Sequence, residues 1–383
     1  MNNLRLSLLR VRQNIKEISL EQKTDFVNSI LELKKAPSVV HAGNAVSNRY
    51  DDYVQLHIDA MMAMSLIDPK GDPNDTNNIY PGWAHNGPAF FTWHRVLLLQ
   101  LEHDLQKISG NNDLAIPYWD WTDADPKASP FTTDFMGSDG ESTRTEDPGK
   151  VVDGPFAFDG PNNWTINVND PMDNHAGPNP PKYLTRGLGR MSAAKTLPDS
   201  AMVKKALSNP VYDYPPWKFA TSARRGCRAE IEVNLHNLVH RYVNGNMVSM
   251  ASPNDPVFWL HHANIDRLWG DWQRKNKESC PYSPVGTAPL GHNLYDTLIF
   301  HEPSSPPPWT DLYTNVQVLD HLKLGYRYDT DPTDSTFVPS PVIAVQRLSE
   351  IPPESREIIT LFQRFPLLKD IRRFQSRRRK SKV

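Results

Sequence analysis

The sequence predicts a mainly α-helical fold with long irregular loops and little β-structure. Four stretches, residues 53–64, 90–105, 232–243 and 256–269, place apolar residues at the three- and four-residue spacing of a helix with one buried face. The 34 prolines exceed the usual share of ~5% and concentrate in residues 123–182 and 281–310. These two regions are predicted to be a surface excursion and a connector, not separate domains.

The first two predicted helices each carry a histidine on the buried face. In "YDDYVQLHIDAMMAM", His57 shares its face with Tyr53. In "FFTWHRVLLLQLE", His94 lies in line with Leu98. His85 precedes this second helix in "PGWAHNGP", a loop punctuated by glycine and proline. One loop and two helices could together supply three ligands to one metal ion.

The third predicted helix carries "NLHNLVH". Residues four apart on a helix lie on one face, with Cβ atoms about 5–6 Å apart, so His236 and His240 can converge on one ion. Their stripe also contains Glu232, Leu235, Val239 and Val243. An inward face of this kind makes an unpaired imidazole costly, so the pair is predicted to bind a metal with a third ligand from elsewhere.

The fourth predicted helix, in "DPVFWLHHANIDRLW", is placed to supply that ligand. Asp255 is expected to cap it, with Pro256 in the first turn where a missing N–H is tolerated. Either His261 or His262 could be the third ligand, and spacing alone does not separate them. Asp266, one turn beyond His262, is expected to orient a ligand ring by a hydrogen bond.

The donor set favours copper. Imidazole suits zinc, copper, iron and nickel, whereas carboxylate-rich sites suit magnesium, calcium and manganese. A di-iron carboxylate site would need Glu-x-x-His pairs, which these motifs do not supply. The sequence contains no HExxH, so the usual zinc peptidase is excluded.

These motifs closely resemble the type-3 dicopper family, which includes tyrosinases, catechol oxidases and hemocyanins. The matching segments run from "RYDDYVQLH" through "IPYWDWT" and "SPNDPVFWLHHANIDRLWGDWQ" to "VLDHLKLGYRY", over residues 45–330. The resemblance implies a four-helix bundle around a dicopper centre. It places residues 1–330 in one catalytic domain and leaves residues 331–383 as a C-terminal extension.

The resemblance also implies which histidines bind the two copper ions. One set is His57, His85 and His94, and the other is His236, His240 and His262. The second member of the family's paired histidines is the ligand, so His261 is expected to be a neighbour that does not bind the metal.

The implied activity is that of a copper-dependent phenol oxidase. Such an enzyme uses O₂ to hydroxylate monophenols at the ortho position and to oxidise o-diphenols to o-quinones, from which melanin forms. Two alternatives stay open: a catechol or o-aminophenol oxidase without hydroxylation, and a reversible O₂ carrier like hemocyanin. The carrier is disfavoured because it usually forms large multi-unit assemblies.

Further positions bear on hydroxylation and on cross-linking. In hydroxylating relatives, a glutamate and an asparagine hold a water that deprotonates the phenol. Asn237 matches that asparagine. Glu232 is the expected glutamate, and Glu230 is the alternative. Arg241 resembles an arginine that flanks the entrance in some relatives, and simple exposure is the alternative. Trp83 stands where several relatives have a cysteine joined to the middle histidine, so no thioether is expected.

Other histidines and aromatic residues are expected to be structural. The histidines outside the matching positions are His41, His103, His175, His292, His301 and His321. The tryptophans of "PYWDWT" and Phe258 are expected to pack in the core.

Composition limits the compartment and the partners. Cys227 and Cys280 are too few for a disulfide framework and suit a reducing compartment. No secretory signal or stretch of transmembrane length is visible, so a cytoplasmic location is expected, with carrier-assisted export as the alternative. The expected partners are a small phenol and O₂, with a copper-delivery protein as a further candidate; no nucleic acid and no membrane span are expected.

The C-terminal extension combines an apolar part with a basic end. Residues 354–374 contain nine large apolar residues interrupted by Pro366. The last 13 residues contain seven Lys and Arg and no acidic residue. The whole chain has 42 Lys and Arg against 44 Asp and Glu, so the remaining residues have 35 Lys and Arg and a net charge of −9. The extension is expected to be a lid over the site or a basic tail.

Overall fold

The structure is a computed structural model that describes residues 9–40, 46–63, 72, 75–172, 180–218, 226–276, 281–284, 286–301, 309 and 311–332. His41, His175, Cys280 and residues 333–383, and so the predictions made for them, lie outside the described residues. Its helices are α1 (Leu20–Lys35), α2 (Arg49–Met62), α3 (Phe90–Ser109), α4 (Ser200–Ser208), α5 (Gly226–Ala229), α6 (Asn237–Val243) and α7 (Val257–Lys275). A π-helical segment, Glu230–His236, joins α5 to α6.

Strands are few and short, which confirms the prediction of a mainly helical fold with little β-structure. Strand β1 (Arg10–Arg12) pairs in parallel with β4 (Tyr326–Tyr328), and β2 (Gly149–Lys150) pairs antiparallel with β3 (Thr185–Arg186). The first pairing brings the two ends of the described chain together. Residues 123–172 contain only β2 and one short 3₁₀ turn, Pro126–Ala128, as a loop-rich excursion should.

Local sequence signals begin and end the main helices. Ser19 and Gln22 form a reciprocal capping box at the start of α1. The Asn48 side chain accepts the Asp51 N–H at the start of α2. Helix α3 ends at Gly110, whose φ of 69° lies in the left-handed region that glycine adopts readily.

The start of α7 differs slightly from the prediction. The cap position is Pro256, one residue later than expected, because Val257 is the first helical residue. Asp255 nevertheless accepts the Val257 N–H at 3.1 Å. Its carboxylate also receives two hydrogen bonds of 2.7 Å from Arg186, so α7 is tied to strand β3 at this point.

The core lies between α1, α2, α3 and α7 and is rich in aromatic side chains. Trp93, Trp259 and Trp269 are fully buried. Phe91 of α3 stacks on Trp269 of α7 with ring centroids 5.1 Å apart. Close packing of these rings fixes α3 and α7 side by side, and these are helices that carry predicted ligands.

A buried ionic network around Asp266 joins α3 and α7 to the β1–β4 pair. Its carboxylate accepts hydrogen bonds of 2.6 Å from Arg95, Tyr326 and Tyr328. The prediction that Asp266 orients a ligand ring is therefore wrong, because its acceptor sites are filled by these residues. Burial opposes its ionisation, yet the adjacent Arg95 and Arg12 hold the Asp266 pKa below its ordinary value.

Candidate metal centre

Three buried histidines from α2, α3 and the preceding loop form the first set, His57, His85 and His94. One donor nitrogen of each lies within 4.8 Å of the others. The Nε2 atoms of His57 and His85 are 3.1 Å apart. The helix face that the apolar spacing predicts does bring His57 and His94 together, and the loop brings His85 to them.

The second set comes from the π-helical segment, α6 and α7, where His236, His240, His261 and His262 cluster within 4.8 Å. His262 Nε2 lies 3.2 Å from His236 Nε2 and 3.4 Å from His240 Nε2. The two sets are in direct contact, because the rings of His94 and His262 stack with centroids 4.3 Å apart.

Most of these rings are oriented by a partner at Nδ1, which leaves Nε2 facing the cluster. His57 and His240 donate from Nδ1 to the carbonyls of Met250 (2.7 Å) and Met247 (2.5 Å). His94 donates from Nδ1 to its own helix, at the Phe90 carbonyl (2.8 Å). A ring proton placed on Nδ1 makes Nε2 the unprotonated, metal-binding atom.

His236 and His85 are held by side chains instead of carbonyls. His236 Nδ1 donates to Asn237 Oδ1 at 2.9 Å, and His85 Nδ1 lies 3.4 Å from Glu232 Oε1. Each of the two residues predicted to act on the phenol, Glu232 and Asn237, therefore touches one predicted ligand. The rings of His85 and His236 face each other across the two sets, with centroids 5.5 Å apart.

The electrostatics favour neutral imidazoles. Burial, with neighbouring imidazoles adding to it, places the pKa values of His57, His94, His236 and His262 well below the ordinary value. Burial lowers the pKa of His240 to about 4. Neutral imidazole is the form that binds a metal, so at neutral pH these rings need not lose a proton first.

The donor arrangement fits a metal ion in each set. Two nitrogens bonded to one ion at about 2.0–2.1 Å are separated by roughly 2.9 Å at a right angle and by roughly 3.4 Å at a tetrahedral angle. The three Nε2 separations of 3.1, 3.2 and 3.4 Å fall in that range. His94 Nε2 is buried without a hydrogen-bond partner among the described residues, as a nitrogen reserved for a metal would be.

His261 and His262 differ in a way that spacing did not reveal. His261 Nδ1 accepts a hydrogen bond of 3.2 Å from the indole N–H of Trp121. Because indole is only a donor, neutral His261 must carry its proton on Nε2. His262 Nδ1 has no hydrogen-bond partner within the described part of the chain, and the ring is held by stacking between His94 and Phe258, whose centroid lies 4.0 Å away.

The two candidate glutamates occupy different places. Glu232 is 1% exposed, and its Oε2 accepts a 2.5 Å bond from Arg228 while Oε1 accepts the Asn86 N–H at 2.7 Å. Burial opposes ionisation, but Arg228 and then His85 hold the Glu232 pKa below its ordinary value. Glu230 instead bonds Asn234 and lines, with Arg241, a surface cavity of about 360 Å³ whose lining includes none of the clustered histidines.

The π-helical turn explains how Glu232 reaches the first set while His236 serves the second. The Asn237 N–H bonds the Glu232 carbonyl five residues back, not four. Because the π-helical turn is wider, the side chains that follow it point in a different direction around the helix axis than they would in a regular α-helix. The apolar spacing of residues 232–243 predicts an uninterrupted α-helix, since spacing over one turn does not distinguish an α-helical from a π-helical turn.

Three further residues contact the site or its loop, although the sequence suggested only structural roles. Phe258 stacks on His262 and lies 5.2 Å from the His57 ring, so it touches both sets. Trp121 sets the tautomer of His261. Buried His292 accepts the Ala89 N–H at 3.3 Å at the end of the loop that carries His85. Trp121 and His292 act from distant segments, so an i, i+4 pattern could not have found them, whereas Phe258 lies four residues before His262 on α7 and that spacing could have indicated the contact.

The position of the cysteine cross-link found in some relatives holds a large aromatic residue. Trp83 is half-buried and packs against the core, and its backbone N–H donates a hydrogen bond to the Ala60 carbonyl at 3.0 Å. Cys227, far from this loop in sequence, is a buried free cysteine.

Comparisons with known proteins agree with the site. The family model for the common central domain of tyrosinase matches residues 47–275. The tyrosinase of Streptomyces glaucescens is 37% identical over 328 residues, which are 84% of this chain and 100% of that protein. Grixazone synthase of Streptomyces griseus is 30% identical over 354 residues, with 84% of this chain and 100% of that protein covered.

A solved structure shows the same fold. The polyphenol oxidase of Thermothelomyces thermophila superposes with a TM-score of 0.59 at 21% identity, over 84% of this chain and 88% of that one. The histidine sets, the family model and the Streptomyces relative lead to one conclusion. The chain belongs to the tyrosinase family of type-3 dicopper proteins.

Proposed function

We propose that this chain is a tyrosinase-type oxidoreductase that uses two copper ions and O₂ to hydroxylate monophenols and to oxidise o-diphenols to o-quinones. The observation that carries the proposal is the convergence of two sets of neutral, oriented imidazoles in direct contact. Three segments supply each set, so both require the folded chain. The proposed four-helix bundle around them consists of α2, α3, α6 with its preceding π-helical turn, and α7.

The proposed ligands are three histidines for each copper. They are His57, His85 and His94 for one ion, and His236, His240 and His262 for the other. His261 is excluded because its Nδ1 is occupied by Trp121 and its Nε2 carries the ring proton. Bound copper supplies the electron transfer with O₂, chemistry that no side chain here provides.

The chain itself supplies orientation and a dry environment. Phe90 packs on His94 and His236 with centroids 5.0 Å from each, and Phe258 covers His262. Both phenylalanines are fully buried, so the rings exclude water from the metal-facing nitrogens.

Glu232 is the proposed proton acceptor, with Asn237 beside it. An ionised carboxylate offers about four acceptor sites, and Arg228, Asn86 and His85 account for three of those of Glu232. The remaining site can accept a water that takes the phenol proton. Its low pKa keeps the carboxylate ionised for this task.

One observation favours a second candidate, an oxidase of catechols or o-aminophenols without hydroxylation. The same Arg228 that keeps Glu232 ionised also lowers its basicity, so Glu232 is a weaker proton acceptor than an unpaired carboxylate. Oxidation of a catechol by the copper pair has less need of this base. The two candidates differ in whether a monophenol is a substrate.

The test is an assay of the copper-loaded protein with tyrosine, a catechol and an o-aminophenol, together with copper analysis. Two coppers per chain and turnover of tyrosine support the main proposal; catechol turnover alone supports the second candidate. One metal per chain, or zinc retained in preference to copper, would refute both. An intense near-ultraviolet band after addition of peroxide is expected in either case, whereas O₂ release without turnover would indicate a carrier.

Two variants test the base. Glu232→Gln should lower tyrosine hydroxylation by roughly 10²–10⁴-fold, with a smaller effect on catechol oxidation and no loss of copper. Glu230→Gln is the matched control and should leave both rates unchanged. Equal losses for the two substrates would show that Glu232 only positions His85.

The structure bears on the cellular location of the chain only through its helices. None of the described helices is long and apolar enough to cross a bilayer. We retain a small phenol and O₂ as partners, a copper-delivery protein as a candidate, and a cytoplasmic location with carrier-assisted export as the alternative.

A further inference from the structure

One short segment contacts a proposed ligand of each copper. Residues 244–251 connect the end of α6 to the turn before α7. The Met247 carbonyl in this segment accepts from His240, and the Met250 carbonyl accepts from His57. These carbonyls, three residues apart, therefore orient rings that belong to different sets.

The start of this segment is fixed against strand β3. Gly245 has a φ of 55°, and a Cβ there would lie 2.1 Å from the Thr185 carbonyl oxygen. The Asn246 side chain accepts from both the N–H (2.8 Å) and the hydroxyl (3.0 Å) of Thr185. Only glycine allows this close approach, so the backbone before Met247 has little freedom.

The other end is fixed by Asp170, which comes from the loop excursion. Asp170 Oδ2 accepts the Met250 N–H at 2.7 Å. Both backbone polar groups of Met250 are thus bonded, one to Asp170 and one to His57. Asp170 is partly exposed and does not itself touch a clustered histidine, so it acts on His57 only by way of Met250.

We propose that residues 244–251 are a shared positioning element that couples the two copper sites, and that Asp170 is a positioning residue for the site containing His57. A ring held in its metal-binding orientation at one site fixes the segment, which in turn fixes the ring at the other site. The two coppers therefore bind cooperatively. Coupling of this kind is reciprocal between the sites.

The test is copper binding by the apoprotein in competition with a chelator, for the wild type and Asp170→Ala. Loss of an outer hydrogen bond to a ligand typically lowers metal affinity by about 10–100-fold. We expect that loss at one copper in Asp170→Ala, together with a change from cooperative to stepwise binding. Amide hydrogen exchange at Met250 should become faster in the variant.

Two further variants separate positioning from general stability. Asp170→Asn keeps an oxygen acceptor for the Met250 N–H and should restore cooperative binding. Asp153→Ala is the matched control, because Asp153 also accepts a loop N–H, that of Ser138 at 2.7 Å, but belongs to another part of the excursion. The copper affinity of Asp153→Ala should equal that of the wild type.

The inference rests on the proposed ligand sets, and its failure is distinguishable from theirs. A wild-type chain that binds fewer than two coppers refutes the proposed function. Two coppers bound to Asp170→Ala with unchanged affinity and cooperativity overturn only the coupling. Equal losses in Asp170→Ala and Asp153→Ala, or no rescue by Asp170→Asn, also overturn it.

Discussion

At the scale of single residues, the second nitrogen of each imidazole decides what the ring can do. Among the proposed ligands, His57, His94 and His240 give the Nδ1 proton to a backbone carbonyl and turn Nε2 toward the cluster. His261 is the opposite case, because Trp121 donates to its Nδ1. Neighbours of identical chemistry in the sequence therefore have different roles.

The first prediction compares the two adjacent histidines. His262→Ala should remove one copper and abolish catechol oxidation, as should His94→Ala and His240→Ala. His261→Ala should retain measurable copper at both sites, with affinity lowered by no more than ~10–100-fold. Metal analysis and catechol turnover provide the measurement, and a tolerated His262→Ala would reverse the assignment within the pair.

The second prediction concerns His292, which supports the loop of His85. Burial, and then Arg228, lower its pKa to about 4, so the ring is neutral and its Nδ1 can accept the Ala89 N–H. His292→Phe removes this acceptor and should lower copper affinity at the first set by roughly 10-fold or more. Chelator competition measures it, and His292→Gln, which retains an acceptor, should be milder. Unchanged affinity in His292→Phe would show that the loop holds His85 without this bond.

At the scale of elements, helices carry the ligands but a polar network fixes how the helices meet. Arg95 of α3 and Asp266 of α7 form a fully buried pair, and Arg12 of β1 joins it. Tyr326 and Tyr328 bring β4 to the same carboxylate. Removing Asp266 leaves Arg95 buried without a carboxylate partner, while Arg12 keeps Glu102 at 2.9 Å.

The third prediction follows from that network. Asp266→Ala should lower the free energy of unfolding by about 3–5 kcal/mol, because buried Arg95 loses its carboxylate partner, whereas Arg12 keeps its ion pair with Glu102. Asp271→Ala is the control on the same helix; its ion pairs are partly exposed and should contribute less than ~1 kcal/mol. Urea unfolding measures both. If both variants lost the same free energy of unfolding, the buried network would contribute no more to stability than a partly exposed ion pair does.

At the scale of the whole molecule, the concentration of buried neutral histidines makes the apoprotein sensitive to acid. Among the described residues, the buried histidines with lowered pKa values are His57, His94, His236, His240, His261, His262 and His292. In the unfolded chain each has a pKa near about 6.5. Below that pH the unfolded state binds more protons than the folded state, so stability falls as pH falls.

The fourth prediction is the size of that effect. Each such histidine contributes up to about 1.4 kcal/mol per pH unit between the unfolded pKa and its lower folded value. The apoprotein should therefore lose several kcal/mol of stability between about pH 7 and pH 5.5. Denaturant unfolding at the two pH values measures it, and His292→Gln should reduce the slope by about one proton. A pH-independent stability across this range would contradict the neutral, buried state of these rings.

The fifth prediction concerns residues 333–383. Their apolar part and cationic end, beside a body with excess negative charge, are the basis for the proposal that they restrain substrate access. Asp331 pairs with His321 and Arg274, so the informative truncation is after Pro332 rather than earlier. Removal should raise the catechol oxidation rate, as should brief protease treatment. An unchanged rate in a stable truncated enzyme would refute the lid.

The helical class, the copper chemistry and the histidines of both sets could be predicted from the amino-acid sequence, because helical spacing and donor type are local properties. His236 and His240 could be paired from their four-residue separation alone. The family motifs added the choice of His262 over His261 as the sixth ligand. None of this required knowledge of which distant segments meet.

The hydrogen-bond and packing partners of those residues could be identified only in the folded chain. The Trp121 bond to His261, the position of Glu232 beside His85 and the incorrect role predicted for Asp266 all depend on contacts between segments far apart in the chain. A hydrogen bond needs two atoms within about 3 Å, and spacing along one helix says nothing about what approaches from another. Ring orientation and proton location, on which the chemistry depends, are therefore properties of the folded chain.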